Sequence, residues 1–479
     1  MSLRLTGRGI VGHPGADSLL VEDGRVAAIG QAAEFSATRS VTHEGYLGAP
    51  RHDHHFHPFG YAGAVLGLSL KQAGDLGGVF ALVRKAAEDL QPGQALIGNR
   101  LDDEALAEGR LPDRYEVDRA TGDTPTLLYR YCGHAAVANS AALALAGLAD
   151  HPDGVLRETE IAPVGDAVAG LRPPLAPSEA ARALRGLAGL GLGKITTIVS
   201  TSKALWCEVD DEVASLLEIA PLLPLDLEVL VIADSPPDLR ASAGEIAAAS
   251  LPNVRFLGWK EFADGALGAR TAALHEPFDD EPSNRGVLRL VPDHATTMAR
   301  ACLELGGTVA IHAIGDAANG AVLDLFAELI AEGAPADRLR IEHASLVTPA
   351  DRERMSRLGI TASVQPSFAA SEVDWLPKRL GGRAATAYAW AAMESKGIRL
   401  LGGSDAPVED PNPWPAMVAA VASGLNPTSA YRLYGPPLRV GDPAHVIETD
   451  RDLLEAATRV LSVYRQGTPI ELPTPLPFA

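Results

Sequence analysis

The chain has 479 residues, of which 47% are hydrophobic and 21% charged, enough apolar material for a large folded core. Lys and Arg number 41 against 61 Asp and Glu, a formal net charge of −20. That balance argues against a nucleic acid or an anionic membrane as partner, because a phosphate surface selects the opposite sign.

The N-terminus, MSLRLTGRGIVGHPGADSLLVEDGRVAAIG, carries no apolar core of the signal-peptide type. It reads instead as short strands, with a hairpin turn predicted at Asp23-Gly24. From about residue 60 the pattern changes. Helical stretches rich in alanine and leucine (LGGVFALVRKAAEDL, PSEAARALRGLAGLG, HATTMARACLELGG, DAANGAVLDLFAELIAEG) alternate with short apolar runs. These runs are TPTLLYRYC, KITTIVST, LEVLVIAD, VRFLGWKEFAD, GTVAIHAI, LRIEHASLV, GITASVQP and GIRLLGGSDAP. Alternating strand and helix signals over this length predict a parallel α/β sheet, closed into a (β/α)8 TIM barrel. With RHDHHFHPFG at 51–60 there is one strand-like run too many, so a run between residues 96 and 234 is expected to belong to an insertion. The tail, DPAHVIETDRDLLEAATRVLSVYRQGTPI, returns to short strands with a Gln-Gly turn and is expected to pair with the N-terminal strands. The expected division is 1–48 and 431–479 as the two parts of a small β-sandwich domain, and 49–430 as the barrel with its insertion.

The run LLEIAPLLPLDLEVLVIAD is broken by Glu218, Asp226, Glu228 and two prolines, so no membrane span is expected. Cys132, Cys207 and Cys302 are too few and too scattered for a disulfide framework, which points to a reducing cytoplasm.

Chemistry-bearing side chains recur where these runs end, and in a parallel barrel those ends gather at one face. They are His55 and His57, then Lys260, His312, His343 and Asp405. Histidines two apart on a strand point to the same side and can reach one ion. Singly, each has a plainer reading: a structural strand histidine, a snorkelling lysine, an aspartate capping the turn SDAP. Their concurrence in one order is what argues for an open divalent-metal site.

The set HxH, Lys, His, His, Asp resembles the metal-dependent amidohydrolase superfamily. The words GHAAVANSAALALAGL, GWKEFADGALGARTAALHEPFDD, VAIHAIGDAANGAVLD, RIEHASLV, ASVQPSFAASEVDW and GSDAPVEDPNPW resemble the branch that includes N-substituted formamide deformylases. The resemblance implies a (β/α)8 barrel beside a β-sandwich assembled from both chain ends. It implies one or two divalent ions, zinc by preference. His55 and His57 with Asp405 would hold one, His312 and His343 a second, and Lys260 would bridge them once carboxylated, since a carbamate makes the side chain an oxygen anion. The implied reaction is hydrolysis of an amide-type C–N bond of a small molecule by metal-activated hydroxide, with Asp405 as general base and then acid. A homodimer is consistent with the family. His134, Gln365, Asp374, Trp375 and Arg270 are candidate substrate contacts, although a salt bridge to Asp264 or Glu276 would equally employ Arg270.

Two other readings stay open. A deaminase of a cyclic amidine or nucleobase would commonly carry a glutamate three residues after the strand histidine, where this chain has Gly315. A non-catalytic binding protein on a retired barrel would not need all six polar groups. The chain also departs from the branch. Ala49-Pro50-Arg51-His52 replaces a Pro-Gly-apolar approach to the HxH, Cys132 stands where an acidic residue is common, and LNPTSAYRLYGPPLRVGDPAHV replaces a longer stretch. Within RHDHHFHPFG, alternation puts Asp53, His55 and His57 on one face and His52 and His54 on the other.

Overall fold

The computed structural model describes residues 2–171, 175–201, 209, 211–452, 455, 457–472 and 475–476. Its centre is an eight-stranded parallel sheet. In chain order the strands are β1 (Arg51–Phe56), β2 (Leu192–Ser200), β3 (Asp226–Ile232), β4 (Val254–Phe262), β5 (Thr308–Ala313), β6 (Leu339–His343), β7 (Thr361–Val364) and β8 (Leu400–Gly402). Each pairs in parallel with the next. The sheet closes just beyond β8, where Phe56 bridges Ala406 and the Asp405 amide donates to the His55 carbonyl at 2.8 Å. This is the predicted barrel. Strands with helices packed outside are covered on both faces, which is why β3 is a nearly continuous apolar run rather than an alternating one. The helix Asp316–Ala331 shows the complementary pattern, burying Val322, Leu323, Phe326 and Leu329 at helical spacing.

The surplus strand-like run is TPTLLYRYC. It forms Thr126–Arg130, the middle strand of a five-stranded sheet inserted between β1 and β2, together with Leu68–Ser69, Leu96–Leu101, Ala135–Ala138 and Val155–Arg157. This sheet has its own apolar clusters, one around Leu96, Val117 and Leu128 and another around Leu127, Leu143 and Val164. The insertion carries residues 130–134 to the catalytic end of the barrel.

The N-terminal strands Ser18–Glu22 and Arg25–Gly30 are antiparallel, joined by Asp23 and Gly24 at φ 48° and 74°. A two-residue turn with both φ positive matches strand twist, which is what Asp-Gly supplies. A second sheet pairs Tyr46–Gly48 with Val446–Thr449, followed by Val460–Arg465 and Thr468–Ile470. Leu5, Leu19, Leu47, Val446 and Tyr464 belong to one buried apolar cluster, so side chains from both ends of the chain pack together. Among the described residues Cys132 and Cys302 are free thiols; Cys207 lies outside them. No helix among the described residues is long and apolar enough to cross a membrane.

The two departures near β1 meet each other. Arg51 is buried, its guanidinium lies 3.9 Å from the centre of the Tyr431 ring, and its Nη2 donates to the Tyr431 hydroxyl at 2.5 Å. Tyr431 sits in the helix Pro427–Leu433, within the shortened segment. The charged residue that replaces an apolar one before the HxH therefore has its partner supplied by the altered C-terminal stretch.

Candidate active site

All six predicted groups lie at the C-terminal ends of barrel strands. His55 is next to last in β1, and His57 follows it as the N-cap residue of the helix Pro58–Leu66. Lys260 and His312 lie near the ends of β4 and β5, His343 ends β6, and Asp405 follows β8. His55, Lys260, His312 and His343 are each at most 2% exposed. His343 and Asp405 adopt φ of 70° and 58°, the left-handed region that non-glycine residues seldom occupy and that clusters at functional sites.

The centre is the Asp405 carboxylate. Its Oδ1 lies 3.2 Å from His55 Nε2 and 3.1 Å from His57 Nε2. Donor atoms of His55, His343 and Asp405 all fall within 4.8 Å of one another, a set able to hold a cation. His312 stands at the edge of this set. Its ring centre is 4.4 Å from that of His343, while its Nε2 is 3.0 Å from the Gly265 carbonyl. Lys260 lies 3.4 Å above the centre of the Phe262 ring, and among the described residues it makes no ion pair with a carboxylate. Burial draws its ammonium down to about 8.

Behind the donors sits a polar layer that alternation did not reveal. Glu342 accepts from His55 Nδ1 at Oε2, 2.6 Å away, and from Arg340 Nε at Oε1. Burial alone would raise the Glu342 carboxyl, but Arg340 and His55 hold it below the usual carboxylate range. A carboxylate on Nδ1 fixes the tautomer and presents the His55 Nε2 lone pair towards the centre. Gln365 does the same for His343, with Oε1 2.7 Å from Nδ1. Asp53 accepts from the His55 amide at 3.0 Å and from the Ser404 hydroxyl at 2.5 Å, tying β1 to the Asp405 turn. Asp264, fully buried, takes the amides of Ala273, Ile314 and Gly315 and lies 3.4 Å from His312 Nε2; burial raises its carboxyl to about 7.

The predicted substrate contacts divide. His134 lines the cavity with the metal-site residues, and its Nδ1 is 3.1 Å from Glu158 Oε1. Glu158 comes from the insertion and also takes Arg289 at 3.2 Å. Gln365 is buried, does not line the cavity, and holds its Oε1 2.7 Å from His343 Nδ1. Arg270 is not part of the cavity lining: Asp280, neither Asp264 nor Glu276, takes its Nη2 at 3.0 Å. Asp374 is exposed and Trp375 is buried against the Arg379 guanidinium at 5.7 Å, and neither lines the cavity. Sequence reasoning missed Glu342, Glu158 and Arg130. Replacing Gln365 with leucine removes the acceptor for His343 Nδ1, and a loss of about 10–100-fold in metal affinity is expected by competitive chelator titration.

A near-closed parallel barrel with convergent histidines and an aspartate at the C-terminal strand ends defines a metal-dependent hydrolase. The chain belongs to the amidohydrolase family, whose sequence model matches residues 49–454. It is accordingly an enzyme acting on carbon–nitrogen bonds other than peptide bonds. It is 28% identical to the Bacillus subtilis protein YtcJ over 476 residues, covering 93% of this chain and 87% of that one. It is 25% identical to an N-substituted formamide deformylase of Arthrobacter pascens, covering 94% of each chain. Among solved structures, an uncharacterized metal-dependent hydrolase from Pyrococcus furiosus superposes with a TM-score of 0.71 at 26% identity, over 95% of this chain and 100% of that one.

Proposed function

We propose that this enzyme hydrolyses the amide-type C–N bond of a small molecule, an N-substituted formamide being the first candidate, with Asp405 as the proton-transfer group. The observation that carries the reading is the Asp405 carboxylate between His55 and His57 at 3.2 and 3.1 Å, with a His343 donor in the same cluster. Imidazole nitrogens with a carboxylate suit zinc or a similar divalent ion, so the donor set fits the cofactor of the family. His55, His57 and Asp405 would hold one ion, with His312, His343 and a carboxylated Lys260 available to a second. Bound there, the metal supplies Lewis acidity that polarises a carbonyl and makes a water more acidic.

The remaining work falls to the chain. Asp405 accepts the proton of the attacking water and returns it to the departing nitrogen, because its oxygen is held at the centre of the histidines. Glu342 and Gln365 keep the Nδ1 protons of His55 and His343 in place, so that both rings offer Nε2. His134, oriented by Glu158, presents its other nitrogen to the scissile amide from the insertion side. The similarity to a formamide deformylase supports the acyl-group reading. The apolar cluster that joins both chain ends supports a division into residues 1–48 with 431–479 and residues 49–430.

The test is a panel of N-alkyl and N-benzyl formamides, acetamides and one cyclic amidine, assayed on protein loaded with zinc. Formate or acetate release together with free amine is expected. Ammonia from the amidine alone would replace this reading with deamination.

A further inference from the structure

We propose that Arg130 is a substrate-recognition residue and that the amide this enzyme cleaves carries a carboxylate, making the substrate an N-acyl or N-formyl amino acid in chemical class. This rests on the amide-hydrolase reading above and names the substrate class for the same cavity.

Arg130 ends the inserted strand Thr126–Arg130 and lines the same cavity as His55, His57, His312, His343 and Asp405. It is only 2% exposed. Asp103 takes its Nε at 2.6 Å, and its guanidinium centre lies 4.4 Å from the centre of the Tyr131 ring. Among the described residues Nη1 and Nη2 are buried with no nitrogen or oxygen partner, and the Cys132 sulfur beside the guanidinium is only a weak acceptor. Their four N–H groups are a large unmet demand, since buried donors in folded proteins are almost always paired. Asp103 engages one nitrogen only, so the paired Nη1–Nη2 edge, which fits both oxygens of a carboxylate, stays unused.

The surroundings favour an anion from outside the chain. Among the described residues, no carboxylate apart from the central Asp405 lines the cavity, and Arg100 and Arg130 line it as well. A guanidinium edge in a low-dielectric cleft selects an anionic ligand. Gly268 leaves the space for the guanidinium, because a Cβ there would lie 2.6 Å from Nη1 and 3.0 Å from Nη2. The rival role is purely structural, with the Asp103 ion pair and the Tyr131 ring as the whole purpose of Arg130. That role predicts no preference for a charged ligand.

The experiment compares N-formylphenylalanine with N-formylphenylalanine amide, which differ in the carboxylate alone. For wild-type holoenzyme, kcat/KM is expected to favour the acid at least tenfold, mainly through KM. In Arg130→Gln this ratio is expected to fall to about one, and Arg130→Lys should restore part of it. In parallel, calorimetry measures binding of N-acetylphenylalanine and of its amide, which needs no turnover. Tighter binding of the acid, lost in Arg130→Gln, supports the recognition role even if neither formamide is hydrolysed, an outcome that would overturn the amide reading alone. Equal affinity of wild type for acid and amide overturns the proposal, and this comparison needs no variant to fold. A preference that survives in Arg130→Gln, with its circular dichroism unchanged, overturns it as well.

Discussion

Replacing His55 with alanine is expected to strip the metal and abolish hydrolysis, whereas replacing His52, three residues earlier, should leave the metal bound. The two lie at different levels of the barrel, because a register shift between Asp53 and Phe56 interrupts the alternation of β1 before His55. His55 Nε2 meets Asp405 at 3.2 Å and its Nδ1 meets Glu342 at 2.6 Å, so alanine removes a donor and strands a buried carboxylate at once. Loss of a direct donor should exceed the ~10–100-fold drop in affinity that follows loss of an orienting group. His52 instead bonds Thr196 at 3.0 Å and lies against His54, ring centres 3.6 Å apart and planes tilted by 38°, at the other end of the barrel. Its loss should cost about 1 kcal/mol of stability, the usual net worth of one hydrogen bond. Elemental analysis of dialysed protein, followed by urea titration, separates the two outcomes. Metal retained in His55→Ala and lost in His52→Ala would reverse the assignment of the two pairs.

How far the sequence could be read follows from which signals are periodic. The barrel strands are buried on both faces and alternate with amphipathic helices, so composition and period mark them without reference to anything distant. The placement of the candidate ligands at one face was legible because a strand end fixes where a side chain goes. Glu342 was not, and the reason is local. Neighbours on a strand face opposite ways, so Glu342 and His343 should not serve one centre. The turn of His343 to φ 70° breaks that rule, letting its ring approach to 4.8 Å from that of His55 while Glu342 reaches the same ring from behind. Glu158 and Arg130 were hidden for another reason. They belong to an insertion whose placement over the barrel mouth depends on packing between segments far apart in the chain. Arg270 looked like an anion holder because it stands in a family word, but Asp280, ten residues on, closes its ion pair. A cation beside acidic residues in sequence carries no information about which of them folding brings into reach.

The pairing of Arg51 with Tyr431 shows the same limit from the other side. Each is an unexplained departure when read alone. Together they form a buried cation–π contact with a hydrogen bond, holding the first residue of β1 to the helix Pro427–Leu433, the second after the Asp405 turn. The strand that carries His55 and the segment behind Asp405 are thereby fixed to each other at one end by Arg51 and at the other by Asp53 and Ser404.

Asp405→Asn is the second large effect, and it separates a ligand from a proton-transfer group. Burial by itself would raise the Asp405 carboxyl, yet while no cation occupies the cluster a protonated His55 and the hydrogen bonds of His55 and His57 override it and hold the group well below the ordinary aspartate range. The side chain is therefore an anion at neutral pH, able to bind a cation and to receive a proton once substrate and metal have redistributed charge around it. Asparagine keeps the shape and one oxygen but accepts no proton. With metal restored to wild-type content, checked by elemental analysis on the assayed sample, kcat is expected to fall by about 10²–10⁴-fold, the usual worth of a positioned acid–base group. Full recovery of kcat on saturating metal would show that Asp405 acts as a ligand alone, and proton transfer would then have to be sought at His134, the other cavity histidine held by a carboxylate.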